Sequence, residues 1–114
     1  MAEELIEYED FARVDIRAGR ILAVEEFPRA RTPSYKVTVD FGPEIGTRTS
    51  SMQAARDYRA DQLVDALVVG VVNMPPKNIA GFRSEALILG VPAEDGGLSM
   101  LVPNRGAKLG SRVY

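Results

Sequence analysis

The chain of 114 residues has no histidine, no cysteine and no tryptophan. Without histidine or cysteine there is no zinc site of the usual nitrogen–sulfur type, no thiol nucleophile and no disulfide framework. A Ser–His–Asp triad lacks its general base. Oxygen-ligand metals stay open by composition, but no EF-hand or comparable loop occurs, so neither a metal nor a cofactor is expected. A Walker-type phosphate loop is also missing, so any action is expected to run without ATP. The longest apolar run, residues 66–72, is interrupted by Gly70 and is far too short to span a bilayer. The N-terminus is acidic, whereas a secretory signal requires a positive start followed by an apolar stretch. We therefore expect a cytoplasmic protein with no membrane insertion and no enzymatic activity.

What is present is ordinary for one globular domain: 46% hydrophobic and 26% charged residues, in a length that supports a single core. The formal charge of −2 hides a division. Five acids (Glu3, Glu4, Glu7, Glu9, Asp10) lie in the first ten residues, and the rest of the chain carries 14 basic against 11 acidic residues. Eleven of the 14 bases are arginine, whose planar fork suits phosphates and carboxylates.

Residues 1–14 read as a helical lead-in, with Leu5, Tyr8, Phe11 and Ala12 at helical spacing. So short a helix is marginal alone and must dock on its own domain or on a second subunit. Residues 15–114 read as the folded domain. Residues 14–26 form a long first strand, in which Val14, Ile16, Ala18, Leu22 and Val24 share one phase and a bend is expected beside Gly19. Tyr35, Val37, Val39 and Phe41 alternate with Lys36, Thr38 and Asp40, the cleanest strand signal in the chain. A third strand spans residues 45–51, short helical turns follow within 52–66, and strands are expected over 67–73 and 86–91. Pro75 to Gly81 reads as the loop between these last two, and residues 98–102 as a weaker sixth strand. Three strands, a helix and two strands make a mainly all-β Greek-key barrel of the oligonucleotide-binding (OB) fold. An SH3-like barrel or small sandwich is the competitor.

The runs NMPPKNIAGFRSEALILG (73–90), FARVDIRAGRI (11–21) and VDFG (39–42) resemble the family of tRNA-binding barrel domains. Those domains are appended to methionyl- and phenylalanyl-tRNA synthetases and occur in synthetase cofactors. EEFPRAR (25–31), VDFGPEIGTRTSSMQ (39–53) and the double proline at 75–76 resemble more closely the free-standing bacterial protein-export chaperones of that family. The resemblance implies an OB-fold barrel, a homodimer, binding in place of catalysis, and recognition of unfolded preproteins and of the export motor ATPase. The wider family implies tRNA as the alternative ligand. Ala86 stands where RNA-binding relatives often carry methionine.

On the usual ligand face of such a barrel, Arg29 and Arg31 fall on the first loop, Lys36 on strand two and Arg48 on strand three. Lys77 and Arg83 fall on the loop between strands four and five. Ser50 and Ser51 offer hydroxyls, and Asn73 and Ser84 bracket the same loop, with readings as ligand contacts or as turn and cap formers. Glu85 repels phosphate, but could hold Arg83 or Arg48 in place. An apolar peptide groove is expected from Phe27, Met52, Met74, Pro75, Pro76, Ile79 and Phe82, since methionine and loop apolar groups suit a promiscuous surface. The dimer seam is expected on Leu5, Tyr8 and Phe11 and on Leu98, Met100, Leu101 and Val102.

Overall fold

Alternation in the second strand sets the core. The computed structural model describes residues 4–114; residues 1–3 of the lead-in lie outside the described residues. In β2 (Tyr35–Asp40) the apolar residues Tyr35, Val37 and Val39 are buried, while Lys36, Thr38 and Asp40 are half-exposed. Phe41, next in phase, is fully buried. β2 pairs with β1 (Ile16–Glu26) on one side and β3 (Thr47–Met52) on the other. β1 continues to β4 (Leu67–Val71), and β4 to β7 (Leu87–Ile88), all antiparallel. The strand order β3-β2-β1-β4-β7 curls until the backbone amides of Glu85 and Ala86 donate to the Thr49 carbonyl at 2.7 and 3.1 Å. The result is a nearly closed five-stranded antiparallel barrel with short helices, an OB fold.

β1 corrects the expected phase. Ala18 is buried, at 5%, but beyond it the positions that face the core are Gly19 and Ile21: Ile21 is fully buried, whereas Leu22 is 47% exposed. A register shift between Ile21 and Ala23 leaves Leu22 as the extra residue of a bulge, three residues beyond the Gly19 bend the sequence predicts. Gly19 is inward because Phe41 fills the space before it. A Cβ there would sit 2.7 Å from Val39 Cγ1 and 2.8 Å from Phe41 Cδ1, and one at Gly70 would sit 3.0 Å from Phe41 Cζ. Two glycines on adjacent strands thus form the slot for one ring. Burying that ring contributes about 1.5–3 kcal/mol.

α1 (Tyr8–Ala12) is a single turn at the end of the lead-in. α2 (Gly42–Ile45) is another turn, which delays the third strand from residue 45 to Thr47. α3 (Ala60–Leu63) is the expected helical turn between β3 and β4, anchored by the fully buried Leu63. Two further departures matter for the site. The expected loop after Pro76 is a hairpin of β5 (Lys77–Ile79) and β6 (Phe82–Ser84). Its turn residues Ala80 and Gly81 both have positive φ, 49° and 86°, the twist that two-residue hairpins require. The expected strand 86–91 divides into β7 and β8 (Gly90–Pro92), and β8 pairs with β9 (Leu98–Met100) in a separate hairpin.

The opposite end of the barrel is tied by charge. Arg17 bonds Asp15 Oδ1 at 2.5 Å, the Gly110 carbonyl at 3.0 Å and Glu44 at 3.1 Å. The hydrogen bond from Arg17 holds the Asp15 carboxyl below its ordinary value and raises the guanidinium of Arg17. The C-terminal tail then pairs with the half of β1 that β2 does not reach: Ser111 accepts from the Ala18 amide and Val113 donates to Ile16. Among the described residues no helix is long and apolar enough to cross a membrane.

Candidate functional site

The β5–β6 hairpin stands over the free edge of β3. The outward amides of that edge find side-chain acceptors: Ser51 N–H donates to Ser84 Oγ at 3.1 Å, and Thr49 N–H donates to Glu85 Oε1 at 3.0 Å. The single proton of the Thr49 hydroxyl is shared between the Arg83 carbonyl, at 2.7 Å, and Glu85 Oε1, at 3.0 Å. The bond from the Thr49 amide, joined by its hydroxyl and by Arg83, holds the Glu85 carboxyl below its ordinary value against the opposing effect of burial. Glu85 therefore serves barrel closure, and its ion pair is with Arg83, at 3.6 Å. Arg48 turns elsewhere, donating to the carbonyls of Ile45 and Thr47.

Between this hairpin and the β8–β9 hairpin lies a groove of ≈ 900 Å³. Met52 and Ala86, 5% and 8% exposed, are its deepest residues. One wall carries Met74, Pro75, Lys77, Ile79 and Ser84; the other carries Leu87 to Pro92 and the turn at Asp95–Leu98. Gln53, Arg56 and Asp57 close one end. Asp57 Oδ2 accepts from the Leu98 amide at 3.0 Å, and the Tyr58 hydroxyl accepts from the Met100 amide at 3.2 Å. These bonds hold the second wall against the chain after β3. β5 and β8 both contribute lining residues, and each is paired on one side only. Its charge is mixed: Lys77 and Arg56 stand among Asp57, Glu85 and Asp95.

Seven of the residues expected to bind ligand or form the peptide groove line this one: Ser51, Met52, Met74, Pro75, Lys77, Ile79 and Ser84. The others sit apart from it. Arg29 and Arg31 are exposed on the β1–β2 loop. Ser50 is buried and donates to the Ser51 carbonyl. Asn73 clasps the lead-in, accepting from the Asp15 amide and donating to the Arg13 carbonyl. Arg83 and Pro76 are exposed outside the lining. Phe27, 3% exposed, packs edge-on to Phe82 with centroids 5.5 Å apart, and Lys36 Nζ lies over both rings. Arg56, Asp57 and the second wall have no local motif; the bonds of Leu98 to Asp57 and of Met100 to Tyr58 bring the wall to the segment that carries them. Of the expected seam, Leu5, Tyr8, Leu101 and Val102 are exposed, whereas Leu98 and Met100 pack on the core.

Comparison with known proteins agrees with this architecture. The family model "Putative tRNA binding domain" matches residues 16–112. The chain is similar to the CsaA chaperone protein of Picrophilus torridus, at 41% identity and a TM-score of 0.90 over 96% of this chain and 100% of that one. It is similar to the chaperone CsaA of Bacillus anthracis at 39% identity and a TM-score of 0.89, over 97% and 100% of the two chains. Methionine–tRNA ligase of Pyrococcus horikoshii is 34% identical over 111 residues, which are 96% of this chain and 15% of the ligase. The chain thus spans a small part of the curated relatives it matches, and the whole of the CsaA structures. It belongs to the tRNA-binding-domain family and is a CsaA-like member of it.

Proposed function

We propose that the protein is an ATP-independent, homodimeric cytoplasmic chaperone that binds unfolded preproteins for export and passes them to the export motor ATPase. The observation that carries this reading is the groove itself, with apolar residues on both walls, lined by two strands each paired on one side only, and mixed in charge. A phosphate track requires charge of one sign, because counterion release supplies most of its affinity. An extended polypeptide instead offers apolar side chains and backbone amides, which such a groove meets without reading sequence. Met74, 51% exposed on the rim, adapts its shape to differing side chains. The similarity to CsaA chaperones supports the same ligand class. Two grooves on a dimer raise the apparent affinity for one long chain, and the exposed Leu5, Tyr8, Leu101 and Val102 are the apolar groups open to a seam.

The second reading, tRNA binding, is favoured by Lys77 and Arg56 at the groove and by the family. Fluorescence anisotropy of labelled tRNA at two salt concentrations, with an unfolded preprotein as competitor, separates the two. The chaperone reading expects preprotein binding without nucleotide and at most weak, salt-sensitive tRNA binding. Tight tRNA binding with no preprotein binding overturns it.

A further inference from the structure

Lys36 stands directly across from Glu25 in the β1–β2 ladder. Opposite charges in that position normally pair. None of the ion pairs among the described residues involves Lys36. Its ammonium lies instead 5.0 Å from the Phe27 ring centroid and 5.4 Å from that of Phe82. Those rings meet at 70°, the edge-to-face arrangement that aromatic pairs favour. The three residues come from three places: Phe27 opens the β1–β2 loop, Lys36 is in β2, and Phe82 begins β6 just past the hairpin turn.

The rest of the β6 attachment to the barrel lies at its far end, through Arg83 and Ser84 to Thr49 and Ser51. Without a contact near Phe82, those bonds alone hold the hairpin to β3, and movement of its turn end pulls them open. We infer that Lys36 is a positioning residue, whose ammonium, shared between Phe27 and Phe82, pins the turn end of the β5–β6 hairpin to the barrel and so sets the wall formed by Lys77 and Ile79. The pin stands on geometry alone; its consequence for ligand affinity rests on the chaperone reading. Phe27, 3% exposed and packed edge-on against Phe82, offers no stacking platform for bases.

Amide hydrogen exchange tests the pin without any ligand. The Ser51 amide bonds only to the hairpin, through Ser84, and so reports release of the hairpin. Removing a cation–π contact of this kind should raise local opening by about three- to thirtyfold. Lys36→Met is expected to lower Ser51 protection by that factor, Phe82→Leu to do the same, and Lys36→Arg to restore it, since guanidinium also stacks on aromatic faces. Unchanged Ser51 protection in both Lys36→Met and Phe82→Leu overturns the inference, as does failure of Lys36→Arg to rescue. A second readout uses a chemically unfolded, labelled preprotein. The pin predicts that Lys36→Met weakens its binding equally at low and high salt, whereas a loss confined to low salt marks Lys36 as a direct anion contact and overturns the positioning role. If the wild type binds no preprotein while the exchange result holds, the chaperone reading fails and the pin stands.

Discussion

Glu85 reaches back across the barrel seam to accept hydrogen bonds from both the amide and the hydroxyl of Thr49, each at 3.0 Å. One carboxylate thereby satisfies the exposed edge of β3 at the point where the sheet would otherwise remain open. The adjoining backbone bonds from Glu85 and Ala86 to the Thr49 carbonyl complete the closure.

This arrangement fixes a pH dependence. The folded-state pKa of Glu85 lies below its ordinary value of 4.5, so its contribution is fully present above that value and is lost as pH falls through the folded pKa. Glu85→Gln should flatten that part of the acid limb, and Glu85→Ala should cost about 2 kcal/mol near neutrality by leaving the Thr49 amide without its partner. Urea denaturation from neutral pH to below pH 4 measures both effects.

Gly19 is held small by the Phe41 ring. Gly19→Ala places a methyl 2.7 Å from Val39 and 2.8 Å from Phe41, and overpacking of this kind costs about 1–3 kcal/mol. The expected outcome in thermal denaturation is a fall in the midpoint. A variant as stable as the wild type would show that the slot relaxes freely.

Ala80 occupies a left-handed conformation, φ 49°, immediately before Gly81. Asparagine tolerates that region better than alanine, and Asn-Gly is the favoured two-residue hairpin turn. Ala80→Asn should therefore raise amide protection in the β5–β6 hairpin, with no change expected in the groove chemistry. Hydrogen exchange of the hairpin amides reads this directly.

The lead-in exposes Leu5, Ile6 and Tyr8 at 95%, 69% and 70%. If these groups contribute to the proposed dimer, deleting residues 1–10 lowers the mass measured by light scattering towards that of one chain. An unchanged dimer would assign the seam to Leu101 and Val102 without the lead-in.

What the sequence revealed depended on how local the cause was. β2 was legible because its side chains alternate without interruption, and the strand–helix–strand order was legible because each element carries its own apolar signal. The phase of β1 was not, because an inward position is occupied by Gly19, which gives no hydropathy signal, and the bulge at Leu22 shifts the pattern after it. The β5–β6 hairpin was hidden because its strands are three residues each and Ala80 adopts positive φ without being glycine. At the site, Lys77, Ile79, Ser84 and the two methionines were readable as loop or strand-end residues. Arg48, Asn73 and Lys36 carried the same local signals, but Arg48 folds back on the carbonyls of Ile45 and Thr47, and tertiary contacts commit Asn73 to a clasp and Lys36 to a pair of rings.

The central claim, that the groove between the two hairpins holds an unfolded chain, is tested most directly by one titration. A chemically unfolded, fluorescently labelled preprotein is titrated without nucleotide against the wild type and against Ile79→Asp, which puts a charge on the apolar wall. The account predicts saturable binding by the wild type and a loss of about tenfold, ~1.4 kcal/mol, in the variant. Equal binding by both proteins would contradict the groove as the site, and no binding by either would contradict the chaperone reading itself.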